Sequence, residues 1–258
     1  PNLAIEYDAG GHKFFQRFGK IIQEIKPKAI VVISAHWETS EGIRVGSFER
    51  VTPIIYDFGI PIKELYQLTY HGKGSPKLAE RIVDLLSPQF NVTIDTKRGF
   101  DHGVWIPLKV AIPEPKDLPI VQVSLNGRAP FEYHVKVGQA LAPLRDEDVL
   151  LIGSGSMVHN LRAFFSGNND ALSYSKSFDR DVEKCITEYS GKEREEKLIM
   201  FKDHPLLKKA HPTVEHFVPL HVIAGASGND QAKKIYEEFL PGLSMSSIEF
   251  DGENQDPE

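Results

Sequence analysis

The sequence predicts an α/β fold: a single domain built on a central, largely parallel or mixed β-sheet flanked by helices. Three observations lead there. Residues 29–38 (AIVVISAHWE) and 149–155 (VLLIGSG) are apolar runs without internal alternation, as in strands buried on both faces. Segments with apolar residues at helical spacing alternate with the strands along the chain. A length of 258 residues, with 41% apolar and 26% charged, is ordinary for a globular chain with a sizeable core.

Taken in order, residues 11–25 carry Phe14, Phe15, Phe18, Ile21, Ile22 and Ile25 as one apolar stripe, and Lys26-Pro27 closes that helix. The buried strand 29–38 follows, then a polar turn at 39–42 and a short strand at 43–48. Residues 51–70, rich in aromatics and prolines, fit no single period and read as a structured loop with a helical turn at 62–68. Ser75-Pro76 opens a helix that runs to Leu86, with proline at the first helical position. A short strand is expected at 90–94, a helix at 104–112 bent or started at Pro107, a strand at 118–125 and a helix at 131–144. After strand 149–155 come helices at 170–189, 192–202, 216–226 and 230–240, then an alternating strand at 243–250. The domain is read as residues 1–250, and the polar tail 251–258 is expected to be disordered.

Bulk properties exclude several classes. A net charge of -6 with no basic run argues against nucleic-acid binding. Cys185 is the single cysteine, so no intrachain disulfide and no cysteine-rich zinc motif can form. No apolar stretch approaches the roughly 20 residues needed to span a bilayer, so no membrane role is expected and the cytoplasm is the expected compartment. The chain begins at Pro1 without a signal-peptide pattern, and a longer polypeptide preceding it is the expectation.

The ten histidines sort unevenly. His12, His71, His134 and His204 lie in polar or amphipathic contexts and read as surface residues. His211 and His221 fit either a supporting role beside a site or a purely structural one. Four have sharper settings: His36 after a buried strand, His102 in FDHG, His159 after a Gly-Ser loop, and His216 in PTVEHFVPL. His36 and His159 leave strands at the carboxyl edge, where open α/β sheets bind ligands; His102 and His216 begin helices. Each alone is more often a hydrogen-bonded structural residue. Trp37 and Trp105 read as core, and Cys185, on a helix with no histidine near it in sequence, as unreactive. The Gly-Ser loop lacks the spacing and lysine of a phosphate loop, and no G-x-S-x-G elbow occurs.

Taken together, SAHWET, YDFGIP, the GSP after Tyr70, KRGFDHG, GQALAPLRDE, IGSGSMVHN and HPTVEHFVPLHV resemble one family, in this order and at this spacing. The chain is similar, over nearly its whole length, to the DODA-type (LigB-like, class III) extradiol ring-cleaving dioxygenases. The resemblance implies that His36 and His216 are metal ligands, with Glu215 the alternative to His216. It makes His159 a further ligand or the acid–base residue, and places His102 where substrate and oxygen bind. The family's first ligand histidine lies in an N-terminal H-G-x-P motif, of which Pro1 would be the proline. Plant pigment-forming members carry a longer H-P-containing loop where this chain has HNLRAF, so betalain formation is not implied.

The implied activity is insertion of both atoms of O2 into a small catechol, giving a ring-opened semialdehyde. Fe(II) is the expected cofactor, with Zn(II) able to occupy the same site. Few, compact protein ligands leave metal positions open for catecholate and dioxygen together. A base must take a catechol proton and an acid must assist O–O cleavage, which suits His159 and His102. Tyr56 and Phe58 could wall the aromatic substrate. Two other readings stand beside this one: a metal-binding relative acting through protein partners, comparable to the Memo proteins, and a zinc-dependent hydrolase.

Overall fold

The computed structural model describes residues 1–59, 61–167 and 170–251. Packing divides the chain into two compact units, Pro1–Arg128 with Pro143–Ser154, and Ala129–Ala142 with the chain from Gly155 on.

The first unit is built on a five-stranded sheet of β1 (Ala29–Thr39), β2 (Ile43–Gly46), β3 (Val92–Asp95), β4 (Ile120–Asn126) and β5 (Val149–Ser154), in the order β3-β2-β4-β1-β5. β1 pairs in parallel with β4 and β5, and β2 with β3. The contact of β2 with β4 is antiparallel, so the sheet is mixed, as expected. Ile30, Val31, Val32 and Ile33 are at most 1% exposed, so β1 is covered on both faces. On one face, Ile30 and Val32 join Ile22 of α1 (Gly10–Ile25) and Val104, Trp105 and Leu108 of α3 (His102–Ala111) in a single core cluster. α2 (Pro76–Leu86) begins where expected: the Ser75 hydroxyl accepts from the Leu78 N–H at 3.2 Å. Among the described residues of 51–70, the helical structure is a 3₁₀ turn at Leu65–Gln67.

The strand expected at 29–38 is present as β1, with an irregularity inside it. β1 continues to Thr39, and its register against β4 runs Ile33↔Val123 and then Glu38↔Leu125. Five residue steps on one strand oppose two on the other, from 33 to 38 against 123 to 125. This bulge re-aims the residues between, His36 among them.

The second unit contains α4 (Phe131–Leu141), which the Pro143 break separates from the short α5 (Pro143–Asp146) of the first unit. It continues with α6 (Leu161–Ser166), α7 (Asp170–Glu188), α8 (Gly191–Ile199), α9 (Leu207–Ala210) and α10 (Val218–Ser227). α4 and α10 cross with their backbones close. A methyl group added at Gly138 would lie 1.9 Å from the Val222 carbonyl oxygen, and one at Gly225 2.1 Å from that of Val135. His134 and His12, read from sequence as surface residues, are in fact buried, at 1% and 5% exposure. Each ring sits on an apolar helix face, and its Nδ1 meets a carbonyl, Pro130 O at 3.1 Å and Leu3 O at 2.7 Å. His71 is exposed, and His204 pairs with Asp181 at 3.2 Å.

The segment expected to be a helix at 230–240 is instead β7 (Gln231–Tyr236) followed by β8 (Phe239–Leu240). β7 pairs antiparallel with β10 (Ser247–Asp251), while β6 (Val158–His159), β9 (Leu243–Ser244) and β8 form a second small antiparallel sheet. Lysines and glutamates gave residues 231–238 a helical reading, but Lys234 turns inward. Its Nζ meets Asp179 at 3.1 Å, Glu183 at 2.6 Å and Glu237 at 2.5 Å. Tertiary charge pairing overrides local propensity here. The single strand expected at 243–250 is broken into β9 and β10. The tail expected to be disordered lies outside the described residues, apart from Asp251 at the end of β10.

Candidate active-site groups

In the first unit, the bulge of β1 and the first residue of α3 place His36 and His102 with ring centroids 3.9 Å apart. The FDHG motif explains how. Phe100 is core, at 2% exposure, and Asp101 caps α3, its Oδ1 accepting from the Gly103 N–H at 3.0 Å. The same carboxylate, fully buried, accepts from Ser34 Oγ at 2.7 Å and from Gln122 Nε2, and Arg98 Nη2 lies 3.5 Å away. Burial pushes the Asp101 carboxyl above the usual range, against the Ser34 hydrogen bond. Ser34 Oγ accepts in turn from the His36 N–H at 3.2 Å, and Arg98 Nη2 donates to the His36 carbonyl at 2.8 Å. A Cβ at Gly103 would sit 2.7 Å from Ser34 Oγ and 3.0 Å from His36 Cδ2, so only glycine lets the two histidines approach.

His102 has its own acidic partner. Asp57 Oδ1 accepts from both its backbone N–H and its Nδ1–H, each at 2.9 Å. Burial opposes ionisation of Asp57, but the bonds from His102 outweigh it and hold the carboxyl below its ordinary value. The loop carrying Asp57 is pinned at several points. The Ile55 N–H donates to Phe100 O at 2.8 Å, Trp105 Nε1 to Ile55 O at 3.0 Å, and the Tyr56 hydroxyl to Leu68 O at 2.7 Å. Phe58 meets His102 edge-on at 5.8 Å but is itself 7% exposed, while Tyr56, stacked 5.8 Å from Tyr66, is 36% exposed.

In the second unit, His159 and His216 stack with ring centroids 3.4 Å apart and planes 7° from parallel. His159 lies within β6, paired opposite Leu243, rather than in the loop that follows β5. His216 precedes α10 in a turn, instead of beginning the helix, and its carbonyl accepts from the Ser156 N–H at 2.8 Å. Its Nδ1–H faces Glu215 Oε1 at 3.2 Å. Burial works against ionisation of Glu215, yet hydrogen bonds from His216 and Thr213 bring its pKa down to about 2. The Gly-Ser loop is committed to structure: Ser154 Oγ donates to Gly103 O at 2.6 Å, and Ser156 Oγ to Ser244 O at 3.0 Å.

The remaining residues fall on the structural side. Burial drives the pKa of His211 down to about 4 and that of His221 to about 3, so both are neutral core residues. Cys185 is buried, its thiol pushed up to about 11 by that burial, and is inert. Trp105 is fully buried, and Trp37 is 5% exposed with Arg98 over its ring at 5.3 Å.

Among the described residues, two histidine-containing groups thus have donor atoms within 4.8 Å of one another, His36 with Asp57 and His102, and His159 with Glu215 and His216. Imidazole nitrogens suit divalent iron or zinc, so the histidines of these groups fit the expected metal, with the carboxylates able to ligate or to hold a ring by its second nitrogen. Sequence reasoning overlooked Asp57, Asp101, Ser34 and Arg98. An aspartate directly before H-G and an apolar helix is a capping signature that identifies Asp101. Asp57 stood inside a quoted motif, but its partner lies 45 residues away.

Comparison with known proteins identifies the family. Residues 4–247 match the model of a family described as the catalytic LigB subunit of aromatic ring-opening dioxygenase. A protein of Beta vulgaris named 4,5-DOPA dioxygenase extradiol is 41% identical over 256 residues, spanning 97% of this chain and 92% of the relative. A protein of Escherichia coli with the same name is 38% identical, over 86% of this chain and 80% of its own length. The crystal structure of an uncharacterized protein of Escherichia coli K12 superimposes with a TM-score of 0.77 at 35% identity, covering 93% of this chain and 92% of that one. The chain belongs to the family of the catalytic LigB subunit of aromatic ring-opening dioxygenases and is an enzyme of that class.

Proposed function

We propose that the protein is a non-haem, Fe(II)-dependent extradiol dioxygenase that inserts both atoms of O2 into the ring of a small catechol and releases a ring-opened semialdehyde. The observation that carries this reading is the fate of the four motif histidines. They occur as two close pairs, each with a carboxylate on one Nδ1. In this reading His36, His159 and His216 hold the metal, with Glu215 orienting His216. A bound Fe(II) would supply the redox chemistry that brings dioxygen and catecholate to reaction.

The chain's own residues do the rest. His102 exchanges protons with the substrate, and the alternative to a ligand role for His159 is that it serves as the second acid–base group. Ser34 and Arg98 hold the main chain of His36, at its N–H and its carbonyl. The half-open Tyr56 ring offers an aromatic surface for a catechol. Because relatives are named 4,5-DOPA dioxygenase extradiol, DOPA is the first catechol to try.

The test is anaerobic reconstitution with Fe(II), followed by oxygen uptake with DOPA and simpler catechols. Equimolar consumption of oxygen and catechol with a yellow product is the expected result. Full iron occupancy without uptake on any catechol would overturn the reading. Zinc in the purified protein would not decide against it, since zinc readily competes for such ligands.

A further inference from the structure

His102 is held on three sides. His36 lies 3.9 Å away between ring centroids, Phe58 meets it edge-on at 5.8 Å, and Nδ1 is engaged by Asp57 at 2.9 Å. That leaves Nε2 as the nitrogen able to meet a substrate.

We propose that Asp57 is the positioning residue of His102: its carboxylate fixes the imidazole as the Nδ1–H tautomer, so that Nε2 accepts a proton from the catechol hydroxyl. The inference rests on the dioxygenase reading above and assigns a role to an acid outside the histidine set. In the step itself, the catechol O–H bond breaks, its electron pair stays on oxygen, and the proton forms a bond to Nε2. Nδ1 keeps its hydrogen throughout, and the resulting imidazolium is held against an Asp57 carboxylate that remains ionised.

Three features make Asp57 suited to this. Oδ1 contacts the backbone N–H of His102 as well as Nδ1, so the carboxylate is registered to the main chain at the helix start as well as to the ring. That N–H is one of the donors a helix cannot satisfy internally. The neighbouring residues Ile55 and Tyr56 are tied down by the bonds from Ile55 N, to Ile55 O and from the Tyr56 hydroxyl, so the acid is presented from a rigid loop. And with Oδ1 only an acceptor, the protonated nitrogen must be Nδ1, the logic by which an acid orients a catalytic histidine in unrelated enzymes.

The rival role is ligation, because Asp57, His36 and His102 also lie close enough to share a metal ion. One set of variants separates the two. In iron-loaded protein, Asp57→Asn is expected to lower kcat about 100-fold while leaving KM within about threefold and iron content unchanged. Asp57→Glu should recover part of the loss. In a His102→Gln background, Asp57→Asn should add nothing further. Nitrogen-15 spectra of the histidine rings in metal-free protein supply a readout independent of turnover. His102, identified by the resonance lost in His102→Gln, should be protonated at Nδ1 in the wild type and a tautomer mixture in Asp57→Asn.

Iron content falling in step with kcat would overturn the proposal in favour of ligation, and losses that simply add would overturn it in favour of a structural role. An unchanged tautomer in Asp57→Asn would also sink it. If wild-type protein cleaves no catechol, the dioxygenase reading fails, and the ring spectra alone decide what Asp57 does.

Discussion

Asp101 gathers more donors than any other acid near the four histidines. It takes hydrogen bonds from Ser34, Gln122 and Gly103 and lies beside Arg98, with no exposed surface. Removing the carboxylate in Asp101→Ala strands those donors in the interior. The expected cost is about 3 kcal/mol of folding stability, read from denaturant unfolding. Gly103→Ala acts differently. Its new methyl group meets Ser34 Oγ and His36 Cδ2, so the His36 ring must move. A loss of metal affinity of about tenfold or more is expected, measured by chelator competition, with the helix itself intact by circular dichroism. His36 and His102 could be read from the sequence because each sits in a patterned setting, a buried strand or a capped helix. Asp57 could not, because its meaning depends on a contact across 45 residues and local patterning carries no such information.

At the level of elements, β1 and the start of α3 were legible for a physical reason: a strand covered on both faces and a capped apolar helix both leave uninterrupted local signals. The loss of Ile30, fully buried in β1, should cost about 2–5 kcal/mol as Ile30→Ala, with the transition midpoint as the measure. β7 was not legible, since the partners that turn Lys234 inward come from α7 and from Glu237. The crossing of α4 and α10 carries a pH dependence. Burial lowers His134 to about 4 and His221 to about 3, from an ordinary 6.5. The unfolded chain therefore binds protons that the folded one refuses. Stability is at its full value above about pH 6.5 and falls as the pH drops toward 4, by on the order of 2 kcal/mol per histidine at pH 5. Unfolding followed between pH 7 and 5 should show this decline, and His134→Gln should flatten it.

For the whole molecule, the family match and the fold agree on a ring-opening dioxygenase, and no helix among the described residues is long and apolar enough to cross a membrane. Metal dependence is the property to test at this scale. A chelator is expected to abolish oxygen uptake and Fe(II) to restore it, while zinc restores metal content without uptake. A further group, the carboxylates of Asp179, Glu183 and Glu237, should not inflate the metal count, because the Lys234 ammonium already sits among all three.

The bulge in β1 sets a limit on how this chain can change length. Irregular backbone is usually where insertions and deletions are absorbed, and by that measure residues 34–37 look permissive. They are the opposite. With Ile33 and Glu38 both in register to β4, removing one residue between them shortens the irregular segment that aims His36 and takes its ring away from His102. A deletion scan should find these positions intolerant and the adjacent turn at 40–42 far more forgiving.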